Sequence, residues 1–207
     1  MRLSAMSGGL ASFVVATSTL APSAWAQGKV RGMARLGGDF GGDKVLEFQY
    51  ADGSTPDVQA GTGLLLSAGA ALEVFKSAGG ALDLQASLGV KYRTIPPATN
   101  QEATWLRFPL EGLLLYRTPF GLRVGGGVAV HLGNVFEASG EAINTRVEFK
   151  SNPGFVLQAE YVLRRMAFDL RYTLMEYEIA SGGSGTVNAN TIGGGVSLLF
   201  GGGRTRR

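Results

Sequence analysis

The sequence predicts an all-β fold, an eight-stranded antiparallel up-and-down transmembrane β-barrel. Three observations predict it: eight segments alternate apolar and polar residues, their connections alternate between short and long, and charges lie opposite the apolar faces. In segment 166–174, Phe168 and Leu170 share one face, while Asp169 and Arg171 share the other. A soluble sheet would turn its apolar face toward a core, so this arrangement favours lipid outside and a polar lumen inside.

The strands and their connections follow from the alternation. The eight predicted strands lie near 29–42, 61–75, 80–94, 104–117, 120–133, 153–163, 166–178 and 190–200. Tight turns are predicted at 76–79, 118–119 and 164–165, and long loops at 43–60, 95–103, 134–152 and 179–189. Short turns at one end and long loops at the other are typical of periplasmic turns and extracellular loops.

One face of each strand from the second to the sixth is uncharged and mainly apolar. These faces carry Leu64, Leu66, Ala68, Ala70, Leu72 and Val74; Leu82, Leu84, Ala86, Leu88 and Val90; Leu106, Phe108, Leu110, Gly112 and Leu114; Leu122, Val124, Val128, Val130 and Leu132; Phe155, Leu157, Ala159, Tyr161 and Leu163. Aromatic residues fall near both ends of this band: Tyr116, Phe120, Tyr161 and Phe200 at the turn side, and Phe40, Tyr92 and Phe155 at the loop side. Such girdles are expected at the two bilayer interfaces.

The opposite faces carry the charges, and these are the candidate site residues. They are Arg31, Arg35, Asp39, Glu73, Asp83, Lys91, Arg107, Glu111, Arg123, Glu160, Asp169 and Arg171, together with His131, the single histidine. An eight-stranded barrel has an interior that side chains fill, so we expect the charges to pair as a structural network. Removing one partner of such a buried pair costs about 3–5 kcal/mol.

The start of the chain predicts export. Residues 1–26 resemble a signal peptide, with Arg2, an apolar stretch at 10–16 and a cleavage box at 24–26. The barrel then occupies 27–200, and 201–207 form a basic tail that we expect to be solvated rather than to bind nucleic acid. The chain has no cysteine, one histidine and no clustered carboxylates, so no metal site and no cofactor are expected.

The chain resembles the small eight-stranded outer-membrane β-barrel superfamily that includes OmpA-like and OmpX-like proteins. The resemblance is architectural except in the last strand, where Gly195, Leu198 and Phe200 match the signal read by the barrel-assembly machinery. Gly193 stands where that signal has a polar residue, and seven residues follow Phe200. The resemblance implies insertion in a Gram-negative outer membrane, with its lipid, its lipopolysaccharide and the assembly machinery as partners.

The sequence is compatible with several functions. The first is a non-enzymatic barrel with a structural or loop-mediated role, in which the loop 134–152 contacts lipopolysaccharide or a protein partner. That loop contains Phe136, Glu137, Glu141, Arg146 and Glu148. The second is a narrow, porin-like channel for small solutes. A soluble lipocalin-type barrel would carry apolar residues inside, and the charged inward set argues against it.

Lipid A hydrolysis is a further alternative, and one residue disfavours it. Outer-membrane lipid A deacylases resemble this chain in size and pair a histidine with a serine two residues later. Here Gly133 follows His131 at that spacing, so the nucleophile is missing. We therefore expect no enzymatic activity and predict that His131 forms a hydrogen bond in the lumen, against a carboxylate.

Overall fold

The computed structural model describes residues 30–47, 57–95, 101–140, 144–181 and 185–201. The predicted signal peptide and the tail beyond Gly201 lie outside these ranges. The strands are β1 (Val30–Phe40), β2 (Lys44–Glu47), β3 (Asp57–Gln59), β4 (Gly63–Ser77), β5 (Gly80–Ile95), β6 (Gln101–Arg117), β7 (Leu122–Gly140), β8 (Asn144–Ser151), β9 (Gly154–Leu163), β10 (Met166–Leu174), β11 (Glu176–Ile179), β12 (Thr186–Asn188) and β13 (Thr191–Gly201). Within the described residues, no helix is long and apolar enough to cross a bilayer.

Eight of the strands form a closed antiparallel barrel, which confirms the predicted fold class. Their order is β1, β4, β5, β6, β7, β9, β10 and β13, and β13 pairs back with β1. In the closed barrel, each of these strands pairs with a neighbour on both sides. The backbone N–H and C=O groups are thus hydrogen-bonded within the protein, as a lipid environment requires. The tight connections β4–β5, β6–β7 and β9–β10 lie together at the turn end of the barrel. The opposite end is the loop end.

The outer face of the barrel is apolar, as the alternation predicts. On β10, Leu170 is 60% exposed, whereas the adjacent Asp169 is 8% exposed and points into the lumen. Leu66 of β4, Leu88 of β5 and Leu157 of β9 are exposed elsewhere around the same outer surface. An apolar surface that surrounds the whole barrel exceeds what soluble monomers carry, so lipid is the solvent that suits it. The predicted girdle residues are also exposed: Phe40, Tyr92, Tyr116, Phe120, Phe155, Tyr161 and Phe200.

The loop end contains more strand than the sequence analysis predicted. The segment 134–152, predicted as the longest loop, is mostly strand, because β7 continues to Gly140 and pairs there with β8. Within 43–60, β2 and β3 form a hairpin. The predicted strand 166–178 divides into β10 and β11, and β12 lies inside the predicted loop 179–189. The loop-end parts of β6 and β7 extend beyond the barrel, where β7 pairs with β8, β8 with β11 and β11 with β12. We call these paired segments the outer sheet.

A β-bulge in β7 explains why the alternation of the predicted strand 120–133 does not continue beyond residue 133. Gly133 and Asn134 of β7 both lie opposite Arg107 of β6. Gly133 has a φ of 54°, a left-handed conformation that glycine adopts at little cost. The extra residue shifts the alternation by one, so His131 points inward before the bulge and Phe136 points inward after it. Phe136 is thus a core residue rather than the exposed loop contact that the sequence analysis predicted.

Candidate functional site

Asp83 is the centre of a charge cluster in the turn-end half of the lumen. Its Oδ2 atom lies 2.7 Å from Arg31, 3.1 Å from Arg117 and 3.3 Å from Arg123. The Asp83 side chain is fully buried. One carboxylate facing three guanidinium groups would leave an excess of positive charge, so further anions are needed.

Two glutamates balance this turn-end cluster. Arg117 also binds Glu73, and Arg123 also binds Glu160. The cluster therefore contains three cations and three anions, and mutual pairing offsets the desolvation of each. Arg117 was missed by the sequence analysis, although alternation from Arg107 in steps of two reaches it.

A second group of ion pairs, the loop-end cluster, lies nearer the loop end. Arg35 holds Asp169 with two parallel hydrogen bonds, from Nε at 2.9 Å and from Nη2 at 2.6 Å. A bidentate pair of this kind fixes orientation as well as charge. The remaining pairs are Lys91 with Asp39 at 2.6 Å and Arg171 with Glu111 at 2.7 Å.

Glycines in β1 and β13 make room for these buried charges. A Cβ atom at Gly193 would lie 1.9 Å from Oδ1 of Asp39. Cβ atoms at Gly195 and Gly37 would each lie 2.8 Å from a guanidinium nitrogen of Arg35. The place where the assembly signal has a polar residue is thus occupied here by the Asp39 carboxylate. Gly195, predicted as part of that signal, lines the lumen.

The other two residues of the predicted assembly signal lie outside the lumen. Leu198 and Phe200 are more than half exposed on the outer face. The Phe200 ring covers Gly32 of β1, where an added Cβ would meet the ring at 2.2 Å. Phe200 therefore packs across the seam between the first and last barrel strands, an arrangement in which an aromatic ring compensates for a glycine in the neighbouring strand.

Apolar side chains fill part of the lumen, which is not wholly polar. Leu113, Leu115 and Val156 are at most 1% exposed and point inward. They belong to one buried cluster that continues toward the loop end. Ala167 lies with Met33 in a smaller apolar cluster. The interior is therefore a packed core in which ion pairs and aliphatic groups alternate.

Arg107 closes the loop-end side of the lumen. Its guanidinium donates to the carbonyl oxygens of Ala60 and Thr62, both at 2.6 Å, and so ties the β3–β4 connection across the opening. The same group lies 4.9 Å from the ring centroid of Trp105, within the range of a cation–π interaction. Trp105 is fully buried and donates its indole N–H to Asn134.

Four aromatic residues above Arg107 form what we call the aromatic cap: Trp105, Phe136, Phe149 and Tyr177. Ring centroids lie 5.5 Å from Trp105 to Phe136, 5.2 Å to Phe149 and 6.1 Å to Tyr177. The four residues come from β6, β7, β8 and β11, so the outer sheet encloses its own core. The sequence analysis missed this cap because Phe136 and Phe149 fall in a predicted loop.

His131 has a different partner from the predicted carboxylate. Its Nδ1 atom lies 2.6 Å from the Tyr177 hydroxyl. Burial raises the pKa of Tyr177, so the phenol stays protonated and can donate this hydrogen bond. A side chain at Gly133 would meet the ring of the outward Phe108 at 3.0 Å. The bulge therefore turns position 133 away from His131, and a hydroxyl placed there would not reach the imidazole.

Comparisons with known proteins find structural relatives only. No protein-family model and no curated protein matches the chain. Ail, the attachment invasion locus protein of Yersinia pestis, matches with a TM-score of 0.51 and 11% identity over 84% of this chain and 99% of that chain. Neisserial surface protein A matches with a TM-score of 0.43 and 13% identity over 84% and 97%. Outer membrane protein AlkL, determined in DMPC bilayers, matches with a TM-score of 0.42 and 15% identity over 100% and 99%.

The likeness to Ail shows the fold of this chain. It has the closed eight-stranded architecture of the small outer-membrane barrels, as the sequence analysis predicted. At 11% identity the likeness does not extend to the function of Ail.

Proposed function

We propose that the protein is an integral barrel of the bacterial outer membrane, exported through a cleaved signal peptide and folded by the barrel-assembly machinery. In this proposal the barrel neither catalyses a reaction nor conducts solutes through its lumen. Its biological role is carried by the outer sheet, which presents a surface to partners outside the cell. The lumen network and the cap hold that sheet rigidly above the membrane.

The observation that carries the proposal is the closure of the lumen. A conducting path needs a continuous column of water, and here ion pairs and packed leucines occupy the barrel interior. Above them, Arg107 and Trp105 close the opening with a hydrogen-bonded and stacked arrangement. The alternative of a narrow channel would require both layers to move.

The outer sheet fits a protein partner better than it fits lipopolysaccharide phosphates. The exposed charged residues at the loop end, within the described ranges, are three basic and five acidic: Lys44, Arg146 and Lys150, and Asp43, Glu102, Glu137, Glu148 and Glu176. Arg146 is already paired with Glu137 and lies 3.6 Å from Glu148. A net acidic surface repels phosphate groups. Glu141, the remaining predicted loop contact, lies outside the described residues.

Planar-bilayer recording tests the proposal. The wild-type barrel should give no unitary conductance steps, because ion pairs and packed leucines interrupt a continuous column of water. Trp105→Ala removes the largest side chain of the cap but leaves the ion pairs and leucines below it, so it should be silent, as should the lipid-face control Leu132→Ala. Regular steps from the wild-type protein would overturn the proposal in favour of the channel.

A further inference from the structure

The turn end of the barrel has a basic surface. Among the described residues, all exposed charged side chains at this end are positive: Lys76, Arg164 and Arg165. The loop end, by contrast, exposes more acidic than basic groups. The two ends of the barrel therefore face the two sides of the membrane with opposite surface charge, and an anionic ligand would be attracted to the turn end.

The β9–β10 turn concentrates two of the three positive charges. Arg164 and Arg165 are adjacent and exposed, and neither side chain forms a hydrogen bond or an ion pair with a described residue. Arg164 has a φ of 58° and is the one non-glycine residue in the described ranges with a positive φ. Glycine or asparagine is usual in such a conformation. The two guanidinium groups are therefore available to a ligand outside the chain.

An open groove beside the turn combines apolar and basic groups, the two chemistries of an amphiphile. It has a volume of about 610 Å³ and is lined, in the described part of the chain, by Leu163, Arg164, Arg165 and Met166. Leu163 is 56% exposed and Met166 is 41% exposed, both on the lipid face. Apolar groups therefore lie on the membrane side of the groove, and the two guanidinium groups lie on its outer side.

The depth of the turn matches the headgroup region. Tyr161 of β9, one of the girdle residues at the turn end, precedes Arg164 by three residues. At about 3.3 Å per residue along a strand tilted by about 35–45°, Arg164 lies roughly 7–8 Å beyond Tyr161 along the membrane normal. With the aromatic girdle at the bilayer interface, both arginines reach the level of the lipid phosphates.

We propose that the β9–β10 turn is a binding site for an anionic phospholipid of the inner leaflet. The headgroup phosphate lies between the guanidinium groups of Arg164 and Arg165, which suit its geometry, and an acyl chain lies against Leu163 and Met166. A protein partner would need no apolar contact on the membrane side of the turn. This proposal rests on the outer-membrane insertion proposed above.

Native mass spectrometry of the folded barrel tests the site. The barrel is held in a neutral detergent and titrated with phosphatidylglycerol or with phosphatidylcholine. The wild-type protein should bind phosphatidylglycerol more tightly than phosphatidylcholine. Arg164→Gln and Arg165→Gln should each weaken that binding about five-fold, the effect of about 1 kcal/mol for one basic residue at an anionic membrane surface.

Lys76→Gln is the matched control, because it removes the same charge from the end of β4, beside the β4–β5 turn on the opposite side of the barrel. It should leave phosphatidylglycerol binding unchanged. Equal losses in all three variants would overturn the site in favour of a general charge effect, and so would equal binding of the two lipids by the wild type.

Arg164→Gly provides a further readout. It relieves the backbone strain, so it should raise the urea midpoint of unfolding while lowering lipid binding, whereas unchanged binding would refute the ligand role. A protein that does not insert in lipid vesicles at all would instead refute the proposed function.

Discussion

Replacing Gly193 with alanine tests whether the glycines of β13 are there to accommodate buried ion pairs. The new Cβ would lie 1.9 Å from Oδ1 of Asp39, and 2.9 Å from both the Cγ of Asp39 and the carbonyl oxygen of Gly38. The Asp39 carboxylate must therefore rotate, and we expect the rotation to move Oδ2 out of its 2.6 Å bond with Lys91. Leaving one partner of a buried pair unsatisfied costs about 3–5 kcal/mol, and this is the expected loss in unfolding free energy.

Urea unfolding from lipid vesicles measures this loss. Trp105 is the natural probe, since the only other tryptophan, Trp25, lies in the predicted signal peptide. Gly112→Ala is the matched control, because an added Cβ there meets no heavy atom within 4 Å. It should change the unfolding free energy by less than about 0.5 kcal/mol.

A double-mutant cycle identifies the origin of the effect. In a Lys91→Met background the bond between Lys91 and Asp39 is already absent, so Gly193→Ala should cost at least about 1 kcal/mol less than in the wild type. Fully additive costs would show that the added methyl group acts through the backbone of Gly38 instead. Equal stability of the Gly193→Ala and Gly112→Ala variants would refute the reasoning altogether.

Three further predictions concern the membrane, the chemistry and the processing of the chain. Leu170→Arg, near the mid-height of β10, should lower the unfolding free energy by about 2–4 kcal/mol, whereas Leu174→Arg, near the loop-end interface, should lower it by about 0–1 kcal/mol. Equal costs in lipid vesicles would contradict the placement of Leu170 near the bilayer midplane. His131→Ala should leave the lipid A of the host unchanged by mass spectrometry, since the imidazole Nδ1 contacts the Tyr177 phenol, and the nearby Ser151 hydroxyl accepts from the His131 backbone N–H. Loss of an acyl chain that depends on His131 would reveal an enzyme. N-terminal sequencing of protein from the outer membrane should begin at or near Gln27, and recovery of intact residues 1–26 would exclude cleavage.

The barrel could be predicted from the sequence because its signal is local. Two-residue alternation and turn spacing are properties of single strands, and each wrong register would place a charge such as Asp169 in lipid. The eight strands, and the inward orientation of Arg35 and Arg171, follow from this alternation and spacing alone. Which charges pair with each other does not follow, because partners such as Arg35 and Asp169 come from distant strands.

The outer sheet could not be predicted, for two physical reasons. The bulge at Gly133 reverses the inward and outward faces of β7, so Phe136 has the wrong parity for a core residue. β8, β11 and β12 are short strands. Their side chains are buried in a core that all of them share. His131 illustrates the same limit, because its partner Tyr177 lies on a strand that the alternation merges with β10.

Labelling of single cysteines in intact cells tests most directly whether the chain spans the outer membrane in the proposed orientation. The natural chain contains no cysteine, so Arg146→Cys on the outer sheet and Ala78→Cys in the β4–β5 turn each introduce one thiol. With a maleimide too large to pass porins, position 146 should react in intact cells, and position 78 should react only after the outer membrane is permeabilised. Reaction of both positions in intact cells, or of position 78 alone, would contradict the proposed placement of the barrel.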